Sequence, residues 1–171
     1  MVAAALLDPA AGLDARRSWF VAALLFSLLG DVLLMLPREQ FVGGLTAFLV
    51  AHLCYVAGFW TDRPTAAALA VSVVVTVVLI GALATRILPA VRRREAALVG
   101  PVAAYIVVIG AMVASALAVA NPLAGGGAIL FAGSDSMIAW NRFVRPFAGS
   151  AVAIMVTYHL GQAALTASLL R

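Results

Sequence analysis

Charge is scarce in this sequence. Asp, Glu, Lys and Arg make up 11% of its 171 residues, and the eleven cations include no lysine. Apolar residues reach 65%, with a mean hydropathy of +1.12. A soluble domain is about half apolar and about a quarter charged. One aqueous core cannot hide this much apolar surface, so lipid is the expected solvent for most of the chain. Polar–apolar alternation is missing too. The apolar runs are continuous, which excludes a transmembrane barrel and leaves helices to satisfy the backbone inside a bilayer. Cysteine is reduced to Cys54, inside an apolar run, so no intramolecular disulfide forms. No HExxH or CxxC spacing marks a metal site. The net charge is +4, yet no basic helix or aromatic platform suits nucleic acid. The start, MVAAALLDPAAGLD, lacks the basic segment of a signal peptide. There is no internal repeat, low-complexity tail or second domain.

What is present is a series of runs of about twenty residues, the length that crosses a bilayer. They extend from about Ser18 to Leu36, Phe41 to Trp60, Thr65 to Leu88, Ala96 to Ala120, Leu123 to Trp140 and Phe147 to Leu170. Breaks fall at Pro37-Arg38-Glu39, Thr61-Asp62-Arg63-Pro64, Pro89 with Arg92-Arg93-Arg94, and Asn121-Pro122. Short connections make successive helices antiparallel neighbours. The expected fold is all-α: a polytopic transmembrane helical bundle of about six full spans, with residues 1–171 forming one domain. Arg38, Arg92, Arg93, Arg94 and Arg145 outweigh the cations at the opposite ends, which favours a cytoplasmic location for the first set. The third run is β-branched and chemically blank. The fourth carries a small-residue stripe, Gly110, Ala114 and Ala118, suited to close packing. Both are expected to be scaffold. Gly125-Gly126-Gly127 is expected to loosen the start of the fifth.

Ionisable residues at membrane depth cost about 2.5–3.5 kcal/mol on insertion scales and persist where they face protein or water. Asp31 stands in SLLGDVLLML, with Ser27 one turn back on the same face. His52 belongs to a stripe of Phe41, Gly44, Phe48, His52 and Tyr55 along one face of the second run. Asp135 lies in Ser134-Asp135-Ser136, and Arg142 follows seven residues later, two turns along the same face, with Asn141 beside it. Tyr158, His159 and Gln162 punctuate the last run. Each has a structural alternative: Asp31 as a cap near the interface, His52 as a satisfied core imidazole, Asp135 or Ser134 as a helix N-cap, Tyr158 as a belt residue. Taken together, two carboxyls, an imidazole, a phenol and amides form a general acid/base set, and unequal surroundings split two carboxyls into an acid and a base. Asp31, His52, Asp135 and His159 also suit zinc chemically, but no metal-ligand spacing supports this, and no metal or cofactor is expected.

The segments SLLGDVLLMLP, FVGGLTAFLVAHLCYVAGF, GSDSMIAWNRF and YHLGQAALTASLL, in that order, resemble the YhhN family, called TMEM86 in animals. The resemblance runs from about Ser18 to the end. It implies the activity of the family's characterised members, lysoplasmalogenases: hydrolysis of the vinyl ether of a lysoplasmalogen to a fatty aldehyde and a glycerophospho-ethanolamine or -choline. It places Asp31, His52, Tyr55, Ser134, Asp135, Asn141, Arg142, Tyr158 and Gln162 at motif positions. The reaction implied assigns Asp31 and Asp135, with His52, to catalysis. Ser27, Tyr55, Ser134, Asn141, Arg142, Tyr158 and Gln162 are assigned to the substrate, whose phosphate suits Arg142 or Arg145. The partner implied is a membrane lipid resembling a lysophospholipid, and the location is the plasma membrane of a bacterium. One departure stands out. Family members begin with further helices carrying a Lys-Pro motif, so the expectation is that the family's first helices are missing and that residues 1–7 are the remnant of one. Competing readings are a hydrolase of another single-chain lipid, a small transporter or proton relay through Asp31 and Asp135, and a structural protein whose polar residues join helices.

Overall fold

The computed structural model describes residues 15–36 and 40–170. The expectations about residues 1–7, the break at Pro37-Arg38-Glu39 and the Arg38 charge lie outside the described residues. Among the described residues six α-helices follow one another: α1 (Ala15–Met35), α2 (Phe41–Trp60), α3 (Ala66–Arg94), α4 (Val99–Ala118, entered through a 3₁₀ turn at Ala96–Leu98), α5 (Pro122–Ala139) and α6 (Ser150–Ala167). A π-helical turn, Trp140–Val144, extends α5. Among the described residues there is no strand.

The chain is an integral membrane helical bundle. Helices α1, α2, α3 and α4 are long and apolar enough to cross a bilayer. Helices α5 and α6 have 18 residues each and do not reach that standard. The expected count of about six full spans therefore holds for helices and not for apolar length. The physical reason is that α5 carries Ser134-Asp135-Ser136 and α6 carries Tyr158-His159 and Gln162. Large apolar side chains such as Val74 (64% exposed), Val77 (64%) and Val78 (66%) on α3 face outward, as lipid contact requires.

Packing is pairwise: α1 on α2, α3 on α4, α5 on α6, with α4 joining α2 and α5. Glycine permits the closest of these approaches. A Cβ on Gly58 would stand 2.8 Å from the Phe20 ring, and one on Gly30 would stand 2.6 Å from the Phe48 ring. Those absences seat an aromatic knob of each helix against the other's backbone. Between α5 and α6, Gly127 and Gly161 meet backbone to backbone: a Cβ on Gly161 would lie 2.9 Å from the Gly127 carbonyl oxygen.

Two boundaries differ from expectation. Helix α3 continues through Pro89 to Arg94. Proline removes one helical hydrogen bond, but Ala90 and Val91 beyond it are buried with Ile87, Val102 and Phe143, and that packing carries the helix onward. The segment with Gly125-Gly126-Gly127 is regular helix rather than loose. Asn121 caps it, its Oδ1 accepting from the N–H of Leu123 at 3.0 Å and of Ala124 at 3.3 Å, and Pro122 occupies the first turn.

Candidate active site

Antiparallel hairpins bring the ends of α1, α3 and α5 to the same side as the starts of α2, α4 and α6. Asp31 is one turn from the end of α1, Asp135 one turn from the end of α5, and Tyr105 two turns into α4. The polar groups therefore gather in the half of the bundle nearer the Arg92-Arg93-Arg94 end of α3. His52, Tyr55, Tyr158 and Gln162 come from the middle of α2 and α6.

They form two hydrogen-bonded sets. In the first, Tyr55 donates to the Gln162 side-chain oxygen, Gln162 Nε2 donates to the Tyr158 hydroxyl at 3.3 Å, and Tyr158 donates to Asp31 Oδ2 at 2.8 Å. Each link fixes the direction of the next, so the phenolic hydrogen of Tyr158 is aimed at the carboxylate. In the second, Tyr105 donates to Asp135 Oδ2, and Ser134 reaches Asp135 Oδ1 at 3.3 Å while also donating to the Phe131 carbonyl at 2.7 Å. Asp135 and Ser134 are thus inside α5, and neither caps a helix. His52 is fully buried, with Nε2 3.7 Å from Asp135 Oδ2. Its Nδ1 lies 2.6 Å from the Phe48 carbonyl oxygen. A carbonyl only accepts, so Nδ1 carries the hydrogen and Nε2 faces the Asp135 carboxyl, where it has no hydrogen-bond partner.

The Phe131 ring separates and touches both sets, with centroids 4.7 Å from His52, 5.2 Å from Tyr158 and 6.4 Å from Tyr55. Phe48 closes one flank against Tyr158. Beyond Tyr55, the rings of Phe20 and Phe59 fill the interior, so among the described residues the polar chain ends there.

An apolar cleft of about 70 Å³ opens beside Asp135. Asp135, Ser136 and Tyr105 are its polar rim, and Phe41, Ile80, Ile106 and Phe143 are among its apolar walls. Asp31 and His52 do not line it. A second cleft, sharing Leu34, Phe41 and Ile138 with the first, is lined by Asn141 and Arg142. The π turn sets both residues. Asn141 Oδ1 accepts from the Phe147 N–H at 3.3 Å, and the Arg142 guanidinium lies 3.9 Å from the Phe41 ring centroid and 3.3 Å from Glu95 Oε1. Arg142 thus stands at the bundle end on the wall of the second cleft, with the Glu95 carboxylate beside it. Arg145 is exposed.

Ser27 is buried with its hydroxyl unpartnered. His159 is exposed, its ring edge-on to Tyr158. Among the described residues no three His, Cys, Asp or Glu side chains converge on a metal position. Sequence reasoning missed Tyr105, which packs on His52 and donates to Asp135. The available signal was a lone phenol in α4, whose one other polar side chain is Ser115.

A profile of the YhhN family matches residues 1–169. The chain is 36% identical to a lysoplasmalogenase of Mycobacterium bovis over 98% of its own length and 65% of that relative's. It is 36% identical to lysoplasmalogenase TMEM86B of Homo sapiens over 87% of its length and 62% of that protein's. With lysoplasmalogenase TMEM86B of Sus scrofa it shares 31% over 95% and 66%. The chain therefore spans just under two thirds of the length of these relatives. No solved structure matches it.

Proposed function

The chain belongs to the YhhN family, and from that premise we propose that it is a membrane-embedded hydrolase of the lysoplasmalogenase kind, working as one transmembrane domain. The substrate is a single-chain lipid whose vinyl ether is cleaved to a fatty aldehyde and a glycerophospho-headgroup. The observation that carries the reading is the pairing of each intramembrane carboxyl with a phenol donor, Asp31 with Tyr158 and Asp135 with Tyr105, the second beside His52 at the edge of an apolar cleft. A site for a lipid ether needs hydrocarbon walls and two differently tuned acid/base groups.

The two roles separate on hydrogen-bond valence. With Nδ1 of His52 committed to a carbonyl, Nε2 and the Asp135 carboxyl match when one proton lies between them. Asp135, on the cleft wall, is therefore the acid. It transfers that proton to the vinyl carbon distal to the ether oxygen, and the adjacent carbon becomes an oxocarbenium centre. Asp31, held as an acceptor by Tyr158 and set back from the cleft, stabilises the cation through its charge and takes the proton of the attacking water through a second, bridging water. The resulting hemiacetal collapses: its hydroxyl hydrogen passes to the Asp135 carboxylate, the C–O bond to glycerol breaks, and the glycerol oxygen takes up the proton held by Asp31. The aldehyde retains the oxygen of water, and one proton returns to the His52–Asp135 pair. Arg142 and Asn141, beyond the cleft mouth, suit the phosphate. Tyr55, Gln162, Ser134 and Ser27 position these groups.

The test is aldehyde release by the purified protein in detergent from a lysoplasmalogen, a diacyl plasmalogen and a lysophospholipid. Turnover confined to the lysoplasmalogen is expected. Release of a fatty acid from the lysophospholipid instead would move the site to another lipid hydrolysis, and inertness toward all three would remove the enzymatic reading.

A further inference from the structure

Ile80 and Ile106 stand on the wall of the apolar cleft beside Asp135. These two residues also wall another cleft, of about 340 Å³, farther along the same pair of helices. The two clefts follow each other along the seam between α3 and α4, from Asp135 and Tyr105 to Val73 and Ala114, with Ile80 and Ile106 as the wall they share.

Packed helices normally close such a seam by interdigitating side chains. Here Gly81 and Gly110 hold it open. A Cβ on Gly81 would meet nothing within 4 Å, and one on Gly110 would meet only the Thr76 methyl at 3.7 Å and Ile80 Cδ1 at 3.9 Å. The outer lips, Val77 (64% exposed) and Val107 (70%), face lipid, so the seam opens sideways into the bilayer. From Tyr105 to Ala114 is nine residues, about 14 Å of helix. That is about half of a ~30 Å hydrocarbon core, the depth one tail reaches in one leaflet. Polarity falls in the same direction: Arg142 and Asn141 near the mouth, Asp135 and Tyr105 at the rim, then only aliphatic groups, glycine and the Thr76 methyl.

We propose that the two clefts join between Ile80 and Ile106 and that the α3–α4 seam so formed is the hydrocarbon-tail site, taking the single chain of the substrate laterally from the bilayer, with Gly81 and Gly110 setting the length of tail accepted. The occupant is one lipid tail in line with Asp135. This rests on reading the chain as a hydrolase of a single-chain lipid.

The experiment measures kcat/KM for vinyl ether lysolipids of short, medium and long tails. In parallel, competition with a labelled lysolipid gives the affinity for lysophosphoethanolamines of the same lengths, which carry no vinyl ether. The variants are Gly81→Leu, which has open space and gains helix propensity, and Ala111→Phe, which fills the seam from its exposed lip. The control is Val74→Leu, on the lipid-facing side outside the seam. Expected is a fall of roughly tenfold in the long-to-short ratio of kcat/KM for both seam variants, the size of a misfit of one or two methylenes in an apolar pocket. The same shift is expected in affinity, and none in the control. A length profile unchanged in both seam variants, or a loss equal at every length, overturns the tail site even if vinyl ethers are cleaved. If the wild-type protein cleaves no vinyl ether but the affinity profile shortens in the seam variants, the tail site stands and the catalytic reading falls.

Discussion

Tyr158 on α6 donates its phenolic hydrogen to Asp31 on α1 at 2.8 Å, across two helices that barely pack on each other. The bond is thus held from behind, by Gln162 and Tyr55, rather than by an interface between its own two helices. Tyr158→Phe keeps the ring against Phe48 and Phe131 and removes only the donor. A hydrogen bond to a charged group is worth about 1.5–3 kcal/mol, so kcat/KM should fall roughly 10–100-fold with the melting temperature little changed. Full turnover in a folded Phe variant would detach Tyr158 from the reaction.

Asp31→Asn and Asp135→Asn preserve shape and most hydrogen bonding while ending proton transfer. Each should lower vinyl ether cleavage by about 10²–10⁴-fold, the usual worth of a general acid or base, in protein that still elutes and melts as folded. A carboxyl that only joins helices would give the opposite pattern: reduced yield or melting temperature, with activity per folded molecule preserved. His52→Gln should cost less than Asp135→Asn, because His52 only holds the acid's proton in place through Nε2 and does not contact the reacting carbon.

The helices were legible in the sequence because bilayer thickness dictates run length, and Pro, Asn and Arg punctuate the runs. Their rotation was less so. On α4 nearly every face is apolar, so nothing in VGPVAAYIVVIGAMVASALA turns Tyr105 inward. Only the fold, which sets Asp135 opposite it, does so. The stripe from Phe41 to Tyr55 and the pair Tyr158–Gln162 were readable because polar residues spaced by a turn single out one face. The π turn at Trp140–Val144 was not legible in the Asp135–Arg142 spacing, nor was the seat of Arg142 over Phe41 beside Glu95.

Gly161 tests the packing independently of chemistry. Gly161→Ala would press a methyl 2.9 Å from the Gly127 carbonyl oxygen and the Phe131 N–H. Backbone cannot rotate away as a side chain can. Overpacking of this kind costs about 1–3 kcal/mol and would also push Phe131 toward the polar cluster. The variant should melt well below wild type. Gly133→Ala, where a Cβ meets nothing within 4 Å, should melt at or above it. Equal melting temperatures would mean that α5 and α6 do not approach as closely as described.

Arg142 is the position at which the proposed headgroup binding can be tested apart from catalysis. Its guanidinium sits on the Phe41 ring and beside Glu95, both partners partly exposed, so the ion pair itself adds little to stability. Arg142→Gln should therefore fold normally. Removing one charge-assisted contact to phosphate forfeits about 1.5–3 kcal/mol, which raises KM about tenfold or more with kcat nearly unchanged, because the contact is present equally in ground state and transition state. Arg142→Lys keeps the charge but loses the planar fork and the stacking on Phe41, so it should recover only part of the affinity. Two further measurements fix the cause. Raising ionic strength should raise the wild-type KM and leave that of Arg142→Gln almost flat, since the screened attraction is already gone. A long-tailed vinyl ether with a free glycerol in place of the phosphate should be cleaved equally by both proteins. A fall in kcat with KM unchanged, or a defect that persists on the phosphate-free substrate, would place Arg142 outside headgroup recognition and return it to the role of a brace between α2, α3 and the π turn.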